Sequence, residues 1–213
     1  MFTPGPAQQK HGLTFGPFRE RWVHLCVDMQ RLFAEATPWQ TPWMPRVLPA
    51  VTHVVELGPE RTIFTRFVPA VHPGAASGAW KRYWSRWSEM TLDELDAELV
   101  DLVPQLSHFA PPARLLDKKV YSPWLGTTLH ADLMLAGVDT LIVTGAETEV
   151  CVLATVIGAI DLGYRVILVP DAICSSADPT HDAMLEIYNS RFGMQVETAT
   201  VAQLQAARLD GLF

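Results

Sequence analysis

The sequence predicts an α/β protein: a three-layer, doubly wound sheet of six mostly parallel strands with helices on both faces. Three observations predict it. Short β-branched runs alternate with helical patterns along the whole chain, and parallel neighbours need such crossovers. Two of the segments, "DTLIVTG" (139–145) and "RVILVPD" (165–171), contain continuous apolar runs, as strands covered on both faces do. No repeat, low-complexity tract or linker divides the 213 residues, so a single domain over 1–213 is expected, with 1–20 as an irregular N-terminal arm.

The elements follow in order. "WVHLCVD" (22–28) is a short apolar run ending in an acid, which suits a buried first strand. "PRVLPAVTHVVELG" (45–58) has helical spacing and stops at a glycine, despite Pro49. "RTIFTRFV" (61–68) is β-branched and aromatic, the second strand. "TLDELDAELVDLV" (91–103) opens with Thr91 and Glu94 as a capping box and continues as an amphipathic helix. "ARLLD" (113–117) is the third strand, and "TTLHADLMLAG" (127–137) a helix closed by Gly137. Strand four, 139–145, leads to a helix from Cys151 to Leu162, ended by Gly163. After strand five, "DPTHDAMLEIYNSRFG" (178–193) is a helix with Asp178 as cap and Pro179 at its first position. "QVETAT" (195–200) is strand six, and a final helix follows.

Composition narrows the function. A net charge of −7 and a pI near 5.4 leave no basic stripe to neutralise phosphates, so neither nucleic acid nor an anionic membrane is an expected partner. No apolar run reaches the roughly 18 residues of a membrane span, and the first 18 residues lack the apolar core of a leader. The three cysteines, Cys26, Cys151 and Cys174, are odd in number and widely spread, which argues against a disulfide framework and for a reduced, cytoplasmic setting. The seven histidines show no ligand spacing, so neither metal nor other cofactor is expected.

In a parallel sheet ligands bind beyond the carboxyl ends of the strands. Asp28, Lys118 and Cys151 fall there. A cysteine in an apolar segment is ordinarily a packing residue. At this place a second role opens. Unpaired N–H groups of the turn and a neighbouring ammonium both favour a thiolate. Asp28 then serves as general base, Lys118 as its charge partner, and backbone N–H groups of "AETEVC" as donors to an attacked carbonyl oxygen.

Three segments carry a family resemblance. "HLCVDMQRLF" has Asp28, Gln30 and Phe33 in an apolar-Asp-x-Gln-x-x-Phe pattern. "DKKVYSPWLGTTL" has a Lys-x-x-x-Ser segment, an aromatic residue and Gly-Thr; counting back four from Ser122 gives Lys118, leaving Lys119 solvated. "VTGAETEVCVLATVIGAIDLGYRVILVPDA" carries Gly145, Thr148, Cys151, Val152, Thr155, Ala159, Gly163 and Asp171-Ala172. Together these resemble the isochorismatase-like cysteine hydrolases over residues 22–200. The resemblance implies a Rossmann-like sheet, an Asp28–Lys118–Cys151 triad and hydrolysis of an amide, carbamoyl or ureido C–N bond through an acyl-thioester. It also implies a cis peptide between Ala146 and Glu147, with the N–H groups of Glu147 and Cys151 as oxyanion hole. The Asp-x-His metal pair of the nicotinamidases has no counterpart here, where the second strand is followed by "TRFVPAVHPG" with His72 alone.

Substrate-side residues are expected at Phe33, Trp80, Tyr121, Trp124 and Thr148. The segment "GAWKRYWSRWSEM" (78–90) places Trp80, Tyr83, Trp84 and Trp87 on one helical face. That face either docks on its own domain or a second subunit, or closes as a lid with an arginine holding a substrate carboxylate. A homo-oligomer, dimer or tetramer, is expected, with a small molecule as substrate. Two other readings stay open: an isochorismatase-type enol-ether hydrolase that uses Asp28 with Cys151 idle, and a non-catalytic scaffold with a packed thiol.

Overall fold

The computed structural model of the chain describes residues 12–210. Its centre is a six-stranded sheet in the order β3-β2-β1-β4-β5-β6: β1 (Trp22–Val27), β2 (Thr62–Phe67), β3 (Arg114–Lys118), β4 (Thr140–Ala146), β5 (Arg165–Cys174) and β6 (Val196–Thr198). Every pairing is parallel, so the fold is more regular than "mostly parallel". The strand order reverses between β1 and β4, and that reversal opens a crevice at their carboxyl ends.

The helices are α1 (Arg31–Ala34), α2 (Met44–Glu56), α3 (Gly78–Arg86), α4 (Pro104–Ser107), α5 (Leu129–Leu135), α6 (Leu153–Asp161), α7 (Asp178–Arg191) and α8 (Val201–Asp210). Side chains alternate across a strand, and the two cores follow that alternation. Cys26, Ile142, Ile167 and Val169 face α2 and α8, while Leu25, Val27, Leu141, Val143, Val166 and Leu168 face α5, α6 and α7. The result is three layers. No helix among the described residues is long and apolar enough to cross a membrane.

Part of the expected N-terminal arm, residues 1–11, lies outside the described residues. Residues 12–21 hold no helix or strand, but they are tied down. The Gly12 N–H donates to the Thr198 carbonyl (2.8 Å), and the Phe15 N–H to the buried Glu197 carboxylate (2.7 Å), which also accepts from Arg165.

Three local expectations are corrected. Residues 91–103 form turns and a 3₁₀ segment (Ala97–Val100), not an amphipathic helix. The Leu92 and Asp93 N–H groups donate to Ala70 and Val71. Further on, the Val103 N–H donates to Met29, and the Asp101 carbonyl accepts from Arg31. The buried Gln30 amide takes the Val100 carbonyl (2.7 Å). With those groups committed to other segments, the helical ladder has nothing left to close it. Thr91 Oγ1 donates back to Ser88 instead of capping. Secondly, the residue flanking α7 is Ala177 rather than Asp178. Its N–H reaches Ser175 Oγ (3.1 Å). Thirdly, the segment bearing Cys151 begins earlier than expected, as a π turn (Thr148–Val152) running into α6.

Candidate active site

β1 and β4 leave no room for a side chain at position 145, where they end. Gly145 is paired with Val27 in the ladder, and a Cβ at Gly145 would lie 2.0 Å from the Val27 carbonyl oxygen. Its φ of +109° is likewise a conformation that glycine alone adopts readily. This approach brings the residue after β1, Asp28, beside the turn after β4.

Asp28 is fully buried and has φ of +50°, the left-handed region that an aspartate tolerates better than most residues. Thr65 holds it on both sides: the Asp28 N–H reaches the Thr65 carbonyl and hydroxyl (3.2 Å each), and Thr65 Oγ1 donates to Asp28 Oδ1 (2.6 Å). Gln30 fixes the following turn by bonding the Phe67 N–H and carbonyl at the end of β2.

Lys118 ends β3, two strands from β1, and its stem crosses the Phe67 ring with Nζ 5.1 Å from the ring centre. Its three ammonium protons meet three acceptors: Asp28 Oδ2 at 2.7 Å, Cys151 Sγ at 3.4 Å and the Val120 carbonyl at 3.3 Å. Burial pulls the lysine pKa down, but the charge of Asp28 and the Cys151 sulfur raise it by more, so the net direction is upward. Lys119, in contrast, is exposed. The three residues singled out in the sequence are therefore in one cluster.

Cys151 departs from one expectation. Its thiol is held well above the ordinary range, first by burial and then by the Asp28 charge, which together outweigh the opposing pull of Lys118. Burial and the Asp28 charge thus favour the protonated sulfur, while the Lys118 ammonium at 3.4 Å favours the thiolate. The peptide between Ala146 and Glu147 is cis. The Glu147 carbonyl accepts from the N–H groups of Val150 (3.0 Å) and Val152 (3.1 Å), passing over that of Cys151.

A cavity of about 320 Å³ opens over the sulfur. Its walls are mainly the rings of Phe33, Trp39, Phe67, Tyr83, Trp87 and Tyr121, with Gln40, Glu147 and Ser176 as polar members. Phe33 and Tyr121 are where the sequence places them. The other three expected substrate-side residues lie elsewhere. Trp80 packs behind Tyr121 (ring centres 4.9 Å apart) and faces a separate apolar hollow with Val68 and Leu92. Trp124 donates its indole N–H to the Thr155 carbonyl (2.9 Å) and lies across Gly158, stacked on Tyr164. Thr148 is buried, bonded to the Cys174 carbonyl and to His181. α3 docks on its own domain, with Trp84 buried against Phe67 (5.9 Å, stacked). Lys81, Arg82 and Arg86 are exposed, and no arginine lines the cavity.

Trp39 lines the cavity without being one of the five expected substrate-side residues. It stands at the middle of the wall, within about 6 Å of the rings of Phe33, Phe67, Tyr83 and Trp87. A lone tryptophan in a Pro-flanked loop carries no periodic signal, and the opposing rings come from segments distant in the chain. Cys26 and Cys174 are buried core residues whose thiols burial pushes up, that of Cys26 to about 12.

Comparison with known proteins agrees with this arrangement. The Isochorismatase domain model matches residues 23–200. An uncharacterised isochorismatase family protein of Bacillus subtilis is 28% identical over 149 residues, covering 70% of this chain and 77% of its own. A protein of Arabidopsis thaliana named "Probable inactive nicotinamidase" is 28% identical over 176 residues, 77% of this chain and 87% of its own. The crystal structure of a cysteine hydrolase from Pseudomonas syringae pv. phaseolicola superposes with a TM-score of 0.76 at 20% identity, over 94% of this chain and 99% of that one.

Proposed function

The chain belongs to the isochorismatase family of hydrolases, and from that premise we propose that it is a cysteine amidohydrolase that cleaves a C–N bond of a small molecule. The observation that carries this reading is Lys118 Nζ, shared between Asp28 Oδ2 and Cys151 Sγ, with Cys151 lining an open cavity.

The chemistry balances with these groups alone. As the carbonyl carbon approaches, the thiol proton passes to Asp28 and the S–C bond forms, sending the carbonyl electron pair to oxygen. The N–H groups of Glu147 and Cys151 receive that oxygen. Collapse breaks the C–N bond, and the departing nitrogen takes the proton from Asp28. Water then attacks the thioester and gives its proton to Asp28. The acid leaves, and the proton returns to sulfur. Lys118 remains an ammonium throughout, offsetting in turn the carboxylate, the sulfur and the developing oxyanion. A raised thiol pKa fits this scheme, because the proton is removed inside the site at the moment of attack.

The test is ammonia release from a panel of small amides, carbamoyl compounds and ureas, with Cys151→Ala as control. Release by the native protein that disappears in the variant supports the proposal. Equal release by both overturns it.

A further inference from the structure

Charge and ring placement in the cavity have a bearing on the substrate, given the hydrolytic reading of the site. Of the charged groups at the site only Glu147 lines the cavity, while Asp28 and Lys118 are fully buried. Lys118 is committed to Asp28, at 2.7 Å. Glu147 is paired with no cation among the described residues. Its Oε1 accepts only from neutral donors, the Ser176 N–H (3.1 Å) and Thr41 Oγ1 (3.4 Å), which fix its orientation. The phenols of Tyr83 and Tyr121 are both pushed up, first by burial, then by neighbouring groups that include Cys151 and, least, Glu147. Arg86 sits over the Trp87 ring (4.6 Å) but is not part of the cavity lining.

The same cavity is lined by the rings of Trp39, Tyr83, Trp87 and Tyr121. The faces of such rings carry negative electrostatic potential and attract cations, most strongly when water is excluded. A cavity lined by such rings and by one carboxylate is suited to an organic cation. A carboxylate-bearing substrate meets the opposite: no guanidinium or free ammonium to hold it, and a fixed negative charge against it.

We infer that the cavity selects an amide whose far end is an organic cation, a quaternary or protonated amine, seated among Trp39, Tyr83, Trp87 and Tyr121 with Glu147 as its counter-charge. The carboxamide then points at Cys151, and the cation binds at the outer part of the cavity.

An isosteric pair tests this: trimethylammonioacetamide and its uncharged carbon analogue 3,3-dimethylbutanamide, with malonamate as the anionic arm. Two readouts separate the inference from the hydrolytic reading. Binding is followed by tryptophan fluorescence on the Cys151→Ala protein, and turnover by ammonia release from the native protein. The expected result is about tenfold tighter binding and higher kcat/KM for the cation than for the neutral isostere, with malonamate weakest. In Glu147→Gln the cation's advantage shrinks to about twofold or less. Equal or tighter binding of the neutral compound, in a comparison that needs no Glu147 variant, overturns the inference even if both amides are hydrolysed. An unchanged ratio in Glu147→Gln does the same. Preferential cation binding without turnover of any amide supports the inference and counts against the hydrolase.

Discussion

Lys118 Nζ lies 2.7 Å from Asp28 Oδ2, and neither side chain has any exposure to solvent. A pair in this setting is expensive to break from one side, because the surviving charge stays buried without compensation. Lys118→Met should lower stability at pH 7 by about 3–5 kcal/mol. Lys118→Met combined with Asp28→Asn should recover a large part of that loss, since no isolated charge remains. Urea unfolding of the single and double variants measures both effects.

The thiol of Cys151 is raised by burial and by the Asp28 charge. Its alkylation by iodoacetamide should therefore keep climbing with pH beyond the value near 8.5 of an ordinary cysteine. Amide hydrolysis should not follow that climb, because Asp28 takes the proton within the site. Asp28→Asn separates the two behaviours. It removes a charge that opposes ionisation, so alkylation at pH 8 rises, while loss of the base lowers kcat by roughly 10²-fold or more. Labelling rates and turnover measured from pH 6 to 9 show whether the two move in opposite directions.

His24 is buried under the sheet between Thr62 Oγ1 (3.2 Å) and Thr144 Oγ1 (2.7 Å), and burial lowers its pKa to about 3. The unfolded chain binds this proton near pH 6.5, and the folded chain only near 3. Between those values the unfolded state holds more protons, so stability falls as pH drops, by about 1.4 kcal/mol per unit from this group. His24→Gln removes that dependence. Unfolding free energies at pH 5 and pH 7 should draw together by about 2 kcal/mol in the variant relative to the native protein.

Gly145 and Gly158 both lack room for a methyl group, but the obstacles differ. At Gly145 a Cβ meets the Val27 backbone at 2.0 Å, whereas at Gly158 it meets the Trp124 side chain at 2.2 Å. Backbone in a central strand pair cannot yield, but an indole can swing aside. Gly145→Ala is expected to cost on the order of 3 kcal/mol or more and to abolish activity by parting Asp28 from Cys151. Gly158→Ala should cost less and retain most turnover. Thermal unfolding and ammonia release of the two variants, side by side, give the comparison.

The strands and the Asp28–Lys118–Cys151 cluster were legible in the sequence for a physical reason. Buried strands must be apolar on both faces, and groups at their carboxyl ends converge on one crevice. The segment 91–103 was not legible, because its local pattern is helical while its backbone partners, Ala70, Val71 and Gln30, are distant in the chain. Trp80, Trp124 and Thr148 lie close in sequence to site residues, but closeness does not say which way a side chain faces. Trp39 is the converse case. The direction of the Cys151 shift was also hidden, since helix position and lysine argue one way and burial the other. Only the packing shows that burial prevails.

The central claim is that Cys151 becomes covalently acylated with Asp28 as the base. It is tested most directly by rapid-quench mass spectrometry of the protein mixed with p-nitrophenyl acetate. The account predicts one acetyl group, located on Cys151, that is lost by hydrolysis in the native protein and persists in Asp28→Asn, where no base activates the water. Acetylation confined to other residues, or equally rapid loss of the acetyl group from Cys151 in Asp28→Asn, would contradict it.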